Sequence, residues 1–161
     1  MKKIIVTGGL GFIGSNLIDL LVNRNYNVLN LDKITYSSNF YNVKEFHKSK
    51  KYKFIKCDIK DKKLKSILYK YKPDCIFNLA AETHVDRSID NPENFIQSNI
   101  VGVYNLLECF KEYSKTNKSK LIHISTDEVY GDVLKSRSSE SYPYQPSSPY
   151  AASKAASDHL V

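Results

Sequence analysis

The sequence predicts an α/β protein: a doubly wound parallel sheet with helices on both faces. Short apolar runs alternate along the chain with longer helical patterns, and the runs are continuously apolar instead of alternating with polar residues. Continuous apolar strands are typical of parallel sheets that are covered on both faces. A regular alternation of strand and helix implies right-handed crossovers, and therefore a doubly wound sheet.

The elements follow from these patterns. The predicted strands are the apolar runs at residues 4–6, 28–31, 54–55, 75–79 and 121–124. Helices are predicted over 12–24, 61–71 and 92–115, and a further helix begins at Pro149, with Ser148 as its N-cap. In the helix over 92–115, Asp90 or Asn91 can be the cap and Pro92 suits the first turn. The apolar stripe expected on this helix is Ile96, Ile100, Val103, Leu107 and Phe110. Residues 131–149 are rich in Ser, Pro and Tyr and are predicted to be a loop.

Composition limits the class of protein. The chain has 161 residues, of which 42% are apolar and 25% charged, as in a globular protein of about one domain. No apolar run approaches the roughly 20 residues that span a bilayer, so we expect no membrane partner. Cys57, Cys75 and Cys109 are odd in number and widely spaced, which predicts free thiols in a reducing, cytoplasmic compartment. No disulfide framework and no metal site are expected.

The net charge of +7 and the pI near 9.2 raise the possibility of nucleic-acid binding. The lysines, however, are spread over 44–72 and 111–120, on what are predicted to be solvated helix faces. No motif of interleaved aromatic and basic residues accompanies them. We therefore expect no nucleic-acid partner, and a basic surface also suits a doubly charged small substrate.

A glycine-rich segment connects the first strand to the first helix. Gly8 allows a sharp turn, Gly11 allows the backbone to approach a pyrophosphate, and Gly14 allows the helix to pack close to the strand. The free N–H groups near Phe12 and Ile13 point at the anion, and the helix dipole adds to the attraction. Such glycines also occur in plain tight turns, but the strand before and the helix after favour dinucleotide binding and a Rossmann-like fold.

A carboxylate follows the second strand. Asp32 lies about 20 residues after the glycine loop, where it would accept hydrogen bonds from the adenosine ribose hydroxyls and repel a 2′-phosphate. The expected cofactor is therefore NAD instead of NADP, although Lys33 beside Asp32 points the other way. Asp58 and Ile59, after the third strand, are placed to contact an adenine edge.

Tyr150 and Lys154 are one helical turn apart, so the phenol and the ammonium share one face. An ammonium close to a phenol stabilises the phenolate and lowers the pKa of the tyrosine from about 10. Such a tyrosine can accept a proton from a sugar hydroxyl while a hydride leaves the same carbon. Spacing of this kind is common on surface helices, and the glycine loop upstream is what makes it informative.

Thr126, Asp127 and Glu128 follow the fifth predicted strand. An elimination next to a carbonyl group needs a base for the acidified C–H and an acid for the departing hydroxyl. Glu128 could be the base and Asp127 the acid. For both to face one substrate, the chain must already have left the strand, because neighbouring residues on a strand point to opposite faces. The alternative is a solvated acidic turn.

Five segments together resemble the extended short-chain dehydrogenase/reductase superfamily, which includes the NAD-dependent epimerases and dehydratases. Within it the chain is most similar to the nucleotide-sugar 4,6-dehydratases, above all those that act on dTDP-glucose. The segments that carry the resemblance are 7–15, 31–36, 80–88, 125–131 and 146–154. The Thr-Asp-Glu triplet separates dehydratases from the related epimerases. UDP-glucose dehydratases share this triplet and stay open as an alternative, as do a non-catalytic NAD-binding fragment and an epimerase-like enzyme.

The resemblance implies a mechanism. Tyr150, helped by Lys154, would deprotonate the sugar 4-hydroxyl as hydride passes from C4 to NAD. Glu128 would remove the C5 proton, Asp127 would protonate the leaving 6-hydroxyl, and hydride would return to C6 to give a 4-keto-6-deoxy sugar. Thr126 would hold the 4-oxygen, and Thr83 would also reach the sugar. The implied cofactor contacts are Phe12, Ile13, Asp32, Lys33, Ile34, Thr35, Asp58, Ile59, Leu79, Ala80, Ala81, Glu82, Thr83, Ser98, Tyr150 and Lys154.

The resemblance also bears on domain organisation. Members of this family are about twice as long, so residues 1–161 are expected to be a C-terminally incomplete NAD-binding Rossmann domain without its substrate domain. The family forms homodimers through helices that correspond to 92–115 and to the helix starting at 149, which is cut short here. We therefore expect little or no turnover by this chain alone, because the sugar is not positioned or shielded from water.

Overall fold

The computed structural model describes residues 2–132 and 137–161. Within these residues, one parallel sheet has five strands in the order β3-β2-β1-β4-β5. This order and the helices on both faces confirm the predicted doubly wound, Rossmann-like fold. The strands are β1 (Lys3–Thr7), β2 (Asn27–Asp32), β3 (Tyr52–Lys56), β4 (Cys75–Asn78) and β5 (Lys120–His123).

Helices connect the strands and follow them. The helices are α1 (Phe12–Asn23), α2 (Lys63–Tyr71), α3 (Val85–Asp90), α4 (Glu93–Phe95), a π-helical segment (Ile96–Val101), α5 (Gly102–Ser114) and α6 (Pro149–Leu160). Two 3₁₀ turns cover Phe40–Val43 and Asp127–Tyr130. Residues 131–132 and 137–148 contain no helix or strand, as predicted, and residues 133–136 of that loop lie outside the described residues. No helix in the described part of the chain is long and apolar enough to cross a membrane.

The predicted helix over 92–115 differs most from expectation. It is interrupted by the π-helical segment, which adds a residue to one turn and rotates the faces on either side of it. The expected stripe is therefore wrong at Ile96, which is 47% exposed, and correct at Val103, which is buried. The face of α5 that packs into the core is Val103, Leu106, Cys109 and Tyr113.

Of the two predicted caps, the one at Ser148 is confirmed. At the other helix start, Pro92 is the N-cap of α4, and the Glu93 N–H donates to the Asn91 side-chain oxygen (3.3 Å). The Ala151 N–H donates to the Ser148 hydroxyl (3.0 Å), and Pro149 occupies the first turn of α6. These contacts satisfy amides that a helix start leaves without partners.

The core has two parts, one on each face of the sheet. Alternate residues of β1 point to opposite faces, so Ile4 and Val6 pack in a cluster with α1 residues such as Ile18. Ile5 packs in the other cluster with residues of α2 and α5, including Leu64 and Leu106. Burial on both faces explains why the central strands are continuously apolar. Because all five strands pair in parallel, their carboxyl ends lie at one edge of the sheet.

Candidate functional site

A cleft of about 720 Å³ opens at the carboxyl edge of the sheet, where ligands bind in folds of this kind. It brings together most of the predicted site residues from the loops that follow the five strands, from α1, from the π-helical segment and from α6. Those that line it are Gly8, Gly11, Phe12, Ile13, Gly14, Asp32, Lys33, Thr35, Asp58, Ile59, Leu79, Ala80, Ala81, Thr83, Ser98, Thr126, Asp127, Tyr150 and Lys154. Ile34, Glu82 and Glu128 are outside this lining.

The glycines of the loop after β1 differ in how much space a side chain would have at each position. Gly8 has a φ of +69°, and a side chain there would lie 2.9 Å from the backbone of Ala80. At Gly14 a side chain would lie 2.3 Å from the Gly8 carbonyl oxygen, so the start of α1 packs directly on the loop. A side chain at Gly11 would meet only that carbonyl oxygen, at 3.3 Å, and would otherwise project into open space. Gly11 therefore leaves the cleft wide enough for a ligand to approach the backbone.

The N-terminus of α1 faces this space. Gly11 is its N-cap and supplies no side-chain hydrogen bond. Amides of the first helical turn, beginning at Phe12, are therefore available to an anion, and the helix dipole favours negative charge there. The loop thus fits a pyrophosphate, as its sequence predicts.

Asp32 organises the two loops beside the cleft. Its carboxylate accepts hydrogen bonds from the Leu10 N–H (3.0 Å), the Ile34 N–H (2.8 Å) and the Ser38 hydroxyl (2.8 Å). Ile34 has a φ of +63°, which is unusual for a β-branched residue and is held by this contact. Asp32 is thus fixed at the place where a ribose would bind.

The triplet Thr126, Asp127 and Glu128 lies beyond the end of β5. The strand ends at His123, and Asp127 begins a 3₁₀ turn capped by the Thr126 hydroxyl, which accepts from the Glu128 N–H at 3.3 Å. Asp127 lines the cleft, and the charges of Asp127 and Glu128 both act on Tyr150. The condition that the chain leaves the strand before Asp127 and Glu128 is therefore met.

The expected lowering of the pKa of Tyr150 is wrong for the described side chains. Burial raises its pKa, and the carboxylates of Glu128 and Asp127 raise it further, whereas a hydrogen bond with Thr126 opposes them. The ammonium of Lys154 is directed elsewhere, since it donates to the Ile124 carbonyl oxygen at 2.5 Å. Burial lowers the pKa of Lys154, and the charge of Asp158 counteracts this.

A buried chain of hydrogen bonds lies under Lys154. The Ala80 N–H donates to the Thr7 hydroxyl (3.1 Å), which in turn donates to the Asn78 side-chain oxygen (2.6 Å). The Asn78 amide must then donate to His123 Nδ1 (2.9 Å), so the proton of the neutral imidazole is on Nε2. Nε2 is 3.6 Å from a carboxylate oxygen of Asp158.

This environment keeps His123 neutral. Burial lowers the pKa of His123 to about 4, and the nearby Lys154 lowers it too, whereas Asp158 opposes both. Asp158 also accepts hydrogen bonds from the hydroxyls of Ser125 and Tyr144. The chain therefore joins β1, β4, β5 and α6 directly behind the cleft.

Several lining residues were not predicted. They are Leu31, Ser37, Ser38, Cys57, His84, Ile124 and Ser125. Most of them are sequence neighbours of predicted residues that follow the end of a strand. Their position after a strand could therefore have identified them. Asn78, His123 and Asp158, behind the cleft, carry no recognisable motif.

Comparisons with known proteins agree with this geometry. The sequence matches the family model described as GDP-mannose 4,6 dehydratase over residues 5–161. The chain belongs to this family. The resemblance to nucleotide-sugar 4,6-dehydratases is thereby confirmed.

Individual relatives are similar over the whole chain. A dTDP-glucose 4,6-dehydratase from Haemophilus influenzae is 49% identical over 171 residues, which cover 100% of this chain and 51% of the relative. The chain thus spans about half the length of the curated relatives it matches. The structure of DesIV, a dTDP-glucose 4,6-dehydratase from Streptomyces venezuelae with NAD bound, has a TM-score of 0.91 and 38% identity over 98% of this chain and 50% of its own.

The fold alone does not separate the dehydratases from the epimerases. The UDP-glucose 4-epimerase of Thermus thermophilus, in complex with NAD, has a TM-score of 0.87 and 34% identity, and the match covers 98% of this chain and 49% of the epimerase. The distinction therefore depends on the site residues.

Proposed function

We propose that this chain supplies the NAD site and the acid–base residues of a dTDP-glucose 4,6-dehydratase. The observation that carries the proposal is the single cleft that contains the glycine loop, Asp32, Tyr150 and Asp127. The product would be dTDP-4-keto-6-deoxyglucose. Nucleotide-sugar chemistry is also supported by the names of the relatives, which are dTDP-glucose 4,6-dehydratases.

The cleft fits NAD. The open space at Gly11 and the start of α1 would hold the pyrophosphate, and Asp32 would accept from the adenosine ribose. Asp58 and Ile59 would lie along the adenine, and Leu79 to Thr83 would line the path toward Tyr150. When bound, NAD supplies a hydride acceptor that later returns the hydride.

Tyr150 would take the proton of the sugar 4-hydroxyl, since it is the phenol that is buried at the cleft. Thr126, which lines the same cleft, would hold the same oxygen of the sugar. Lys154, which is buried and lines the same cleft, would orient the cofactor side of the site. Thr83 would contact the sugar from the opposite loop.

Glu128 would remove the C5 proton and Asp127 would protonate the leaving 6-hydroxyl. The 3₁₀ turn that starts at Asp127 supports this pairing, because both residues lie beyond the end of β5 and therefore not on opposite faces of a strand. An epimerase-like reaction needs only the phenol and the cofactor. The adjacent acid and base therefore favour dehydration.

Two alternative functions are a UDP-glucose 4,6-dehydratase and a non-catalytic NAD-binding fragment. The former shares the same acid and base, and the latter follows from the chain spanning half of its relatives. We also propose a homodimer and a cytoplasmic location. Exposed apolar side chains on the segment over 92–115, which is expected at the interface, support the dimer, namely Ile96, Val101 and Tyr104. The free thiols of Cys57 and Cys109 support the location.

A chimera tests the proposal. Residues 1–161 replace the corresponding half of the Haemophilus influenzae relative, to which they are 49% identical, and the product from dTDP-glucose is identified by mass spectrometry. We expect a sugar that has lost one water, and loss of that product in the Tyr150→Phe chimera. A folded chimera that binds NAD but forms no such product contradicts the proposal.

A further inference from the structure

Lys33, the cation that follows Asp32, is held by two partners within the protein. Its ammonium forms an ion pair with Glu82 (3.0 Å) and donates to the Ser98 hydroxyl (2.7 Å). Lys33 follows β2 and Glu82 follows β4, and β1 lies between these strands in the sheet. The ion pair therefore joins two loops whose strands are not neighbours.

Contacts with residues other than Lys33 also hold Glu82 in place. Its N–H donates to the Asn99 side-chain oxygen (2.9 Å), and the Asn99 amide donates to the Glu82 carbonyl oxygen (2.9 Å). The second carboxylate oxygen accepts from the Tyr36 hydroxyl (3.4 Å), and the Arg87 guanidinium stacks on the Tyr36 ring (3.7 Å). Since the Glu82 side chain is only 11% exposed and that of Lys33 is 32% exposed, solvent screens the pair only in part.

This contact bears on the choice between NAD and NADP. A carboxylate at the end of β2 repels a 2′-phosphate, whereas a cation in the same loop accommodates one. The chain has both, as Asp32 and Lys33. An ammonium that is already neutralised by a carboxylate is a poorer partner for a phosphate.

We propose that Glu82 is a specificity-determining residue that holds Lys33 in this ion pair and so keeps it from accepting the 2′-phosphate of NADP. Glu82 acts through Lys33 and is a positioning residue. The inference rests on the proposed NAD site and adds a second determinant to the carboxylate of Asp32.

Binding of NAD and NADP to the purified chain tests this without any need for turnover. Both nucleotides are titrated by calorimetry at one ionic strength into the unmodified chain and Glu82→Gln. We expect the ratio of NADP affinity to NAD affinity to rise about fivefold in Glu82→Gln, the upper end for a pair that solvent partly screens. The matched control is Glu112→Gln, which removes an ion pair with Lys65 on the α2–α5 face, and it leaves the ratio unchanged.

A double-mutant cycle identifies the route of the effect. In a Lys33→Met background, Glu82→Gln should have no effect on the ratio. An equal rise in that background means direct repulsion by Glu82 and overturns the inference, as does an unchanged ratio in Glu82→Gln alone. If Glu82→Gln does not fold, Glu82→Asp keeps the charge but is too short for the 3.0 Å contact, and the ratio should rise there as well. An unmodified chain that binds neither nucleotide refutes the NAD site itself, whereas normal NAD binding with no change of ratio refutes only the role of Glu82.

Discussion

Buried His123 makes the stability of this protein depend on pH. Its pKa is lowered to about 4 in the folded chain and is about 6.5 in an unfolded chain. Between these values the unfolded state binds a proton that the folded state does not, so stability falls as the pH decreases from 6.5 to 4. At roughly 1.36 kcal/mol per pH unit, the loss amounts to about 2 kcal/mol at pH 5 and about 3 kcal/mol at pH 4.

The variant His123→Gln isolates this effect. A glutamine oxygen can accept from the Asn78 amide as Nδ1 does, but it does not titrate. Urea unfolding followed by circular dichroism at pH 7, 6, 5 and 4 gives the free energy of unfolding of both proteins. We expect the unmodified chain to lose about 3 kcal/mol more than His123→Gln between pH 7 and 4, because other groups titrate alike in both. Parallel curves for the two proteins would refute the burial of a neutral imidazole at this position.

Two further predictions concern the loop and the phenol. Gly8→Ala should lower the free energy of unfolding by about 2 kcal/mol, because Gly8 has a positive φ and lies close to the backbone that follows β4. Gly11→Ala should fold normally and bind NAD roughly tenfold more weakly. Urea unfolding and calorimetry measure the stability and the NAD affinity of both variants, and equal losses of stability would contradict this prediction. Asp127→Asn and Glu128→Gln should each lower the pKa of Tyr150, since both carboxylates raise it. A titration of the tyrosine followed by NMR measures this pKa. An unchanged pKa in both variants would contradict the position of Asp127 and Glu128 beside Tyr150.

Local patterns carry most of the fold. The strands, the glycine loop and the cap at Ser148 follow from short stretches of sequence whose physics is local, and the structure confirms them. The helix over 85–90 was not predicted, because it has few apolar residues and no side chain caps it. The π-helical segment was also missed, since a periodicity of 3.6 residues does not reveal one inserted residue.

Long-range electrostatics explain the remaining differences at the site. The sequence places Lys154 one turn from Tyr150, but it does not reveal that the ammonium donates to the Ile124 carbonyl oxygen. Burial, which dominates the pKa of Tyr150, is likewise a property of the packed fold and not of the spacing. The partnership of Lys33 with Glu82 depends on the sheet order, which brings the ends of β2 and β4 to one edge.

The central claim is that Tyr150 and Glu128 act on one sugar in successive steps. Single turnover of dTDP-glucose by the chimera with Glu128→Gln tests it, with the absorbance of reduced nicotinamide and the mass of the sugar followed together. We predict that reduced nicotinamide accumulates while the sugar keeps its 6-hydroxyl, and that the chimera with Tyr150→Phe forms no reduced nicotinamide at all. Release of a dehydrated sugar by the Glu128→Gln chimera at the unmodified rate would contradict the account.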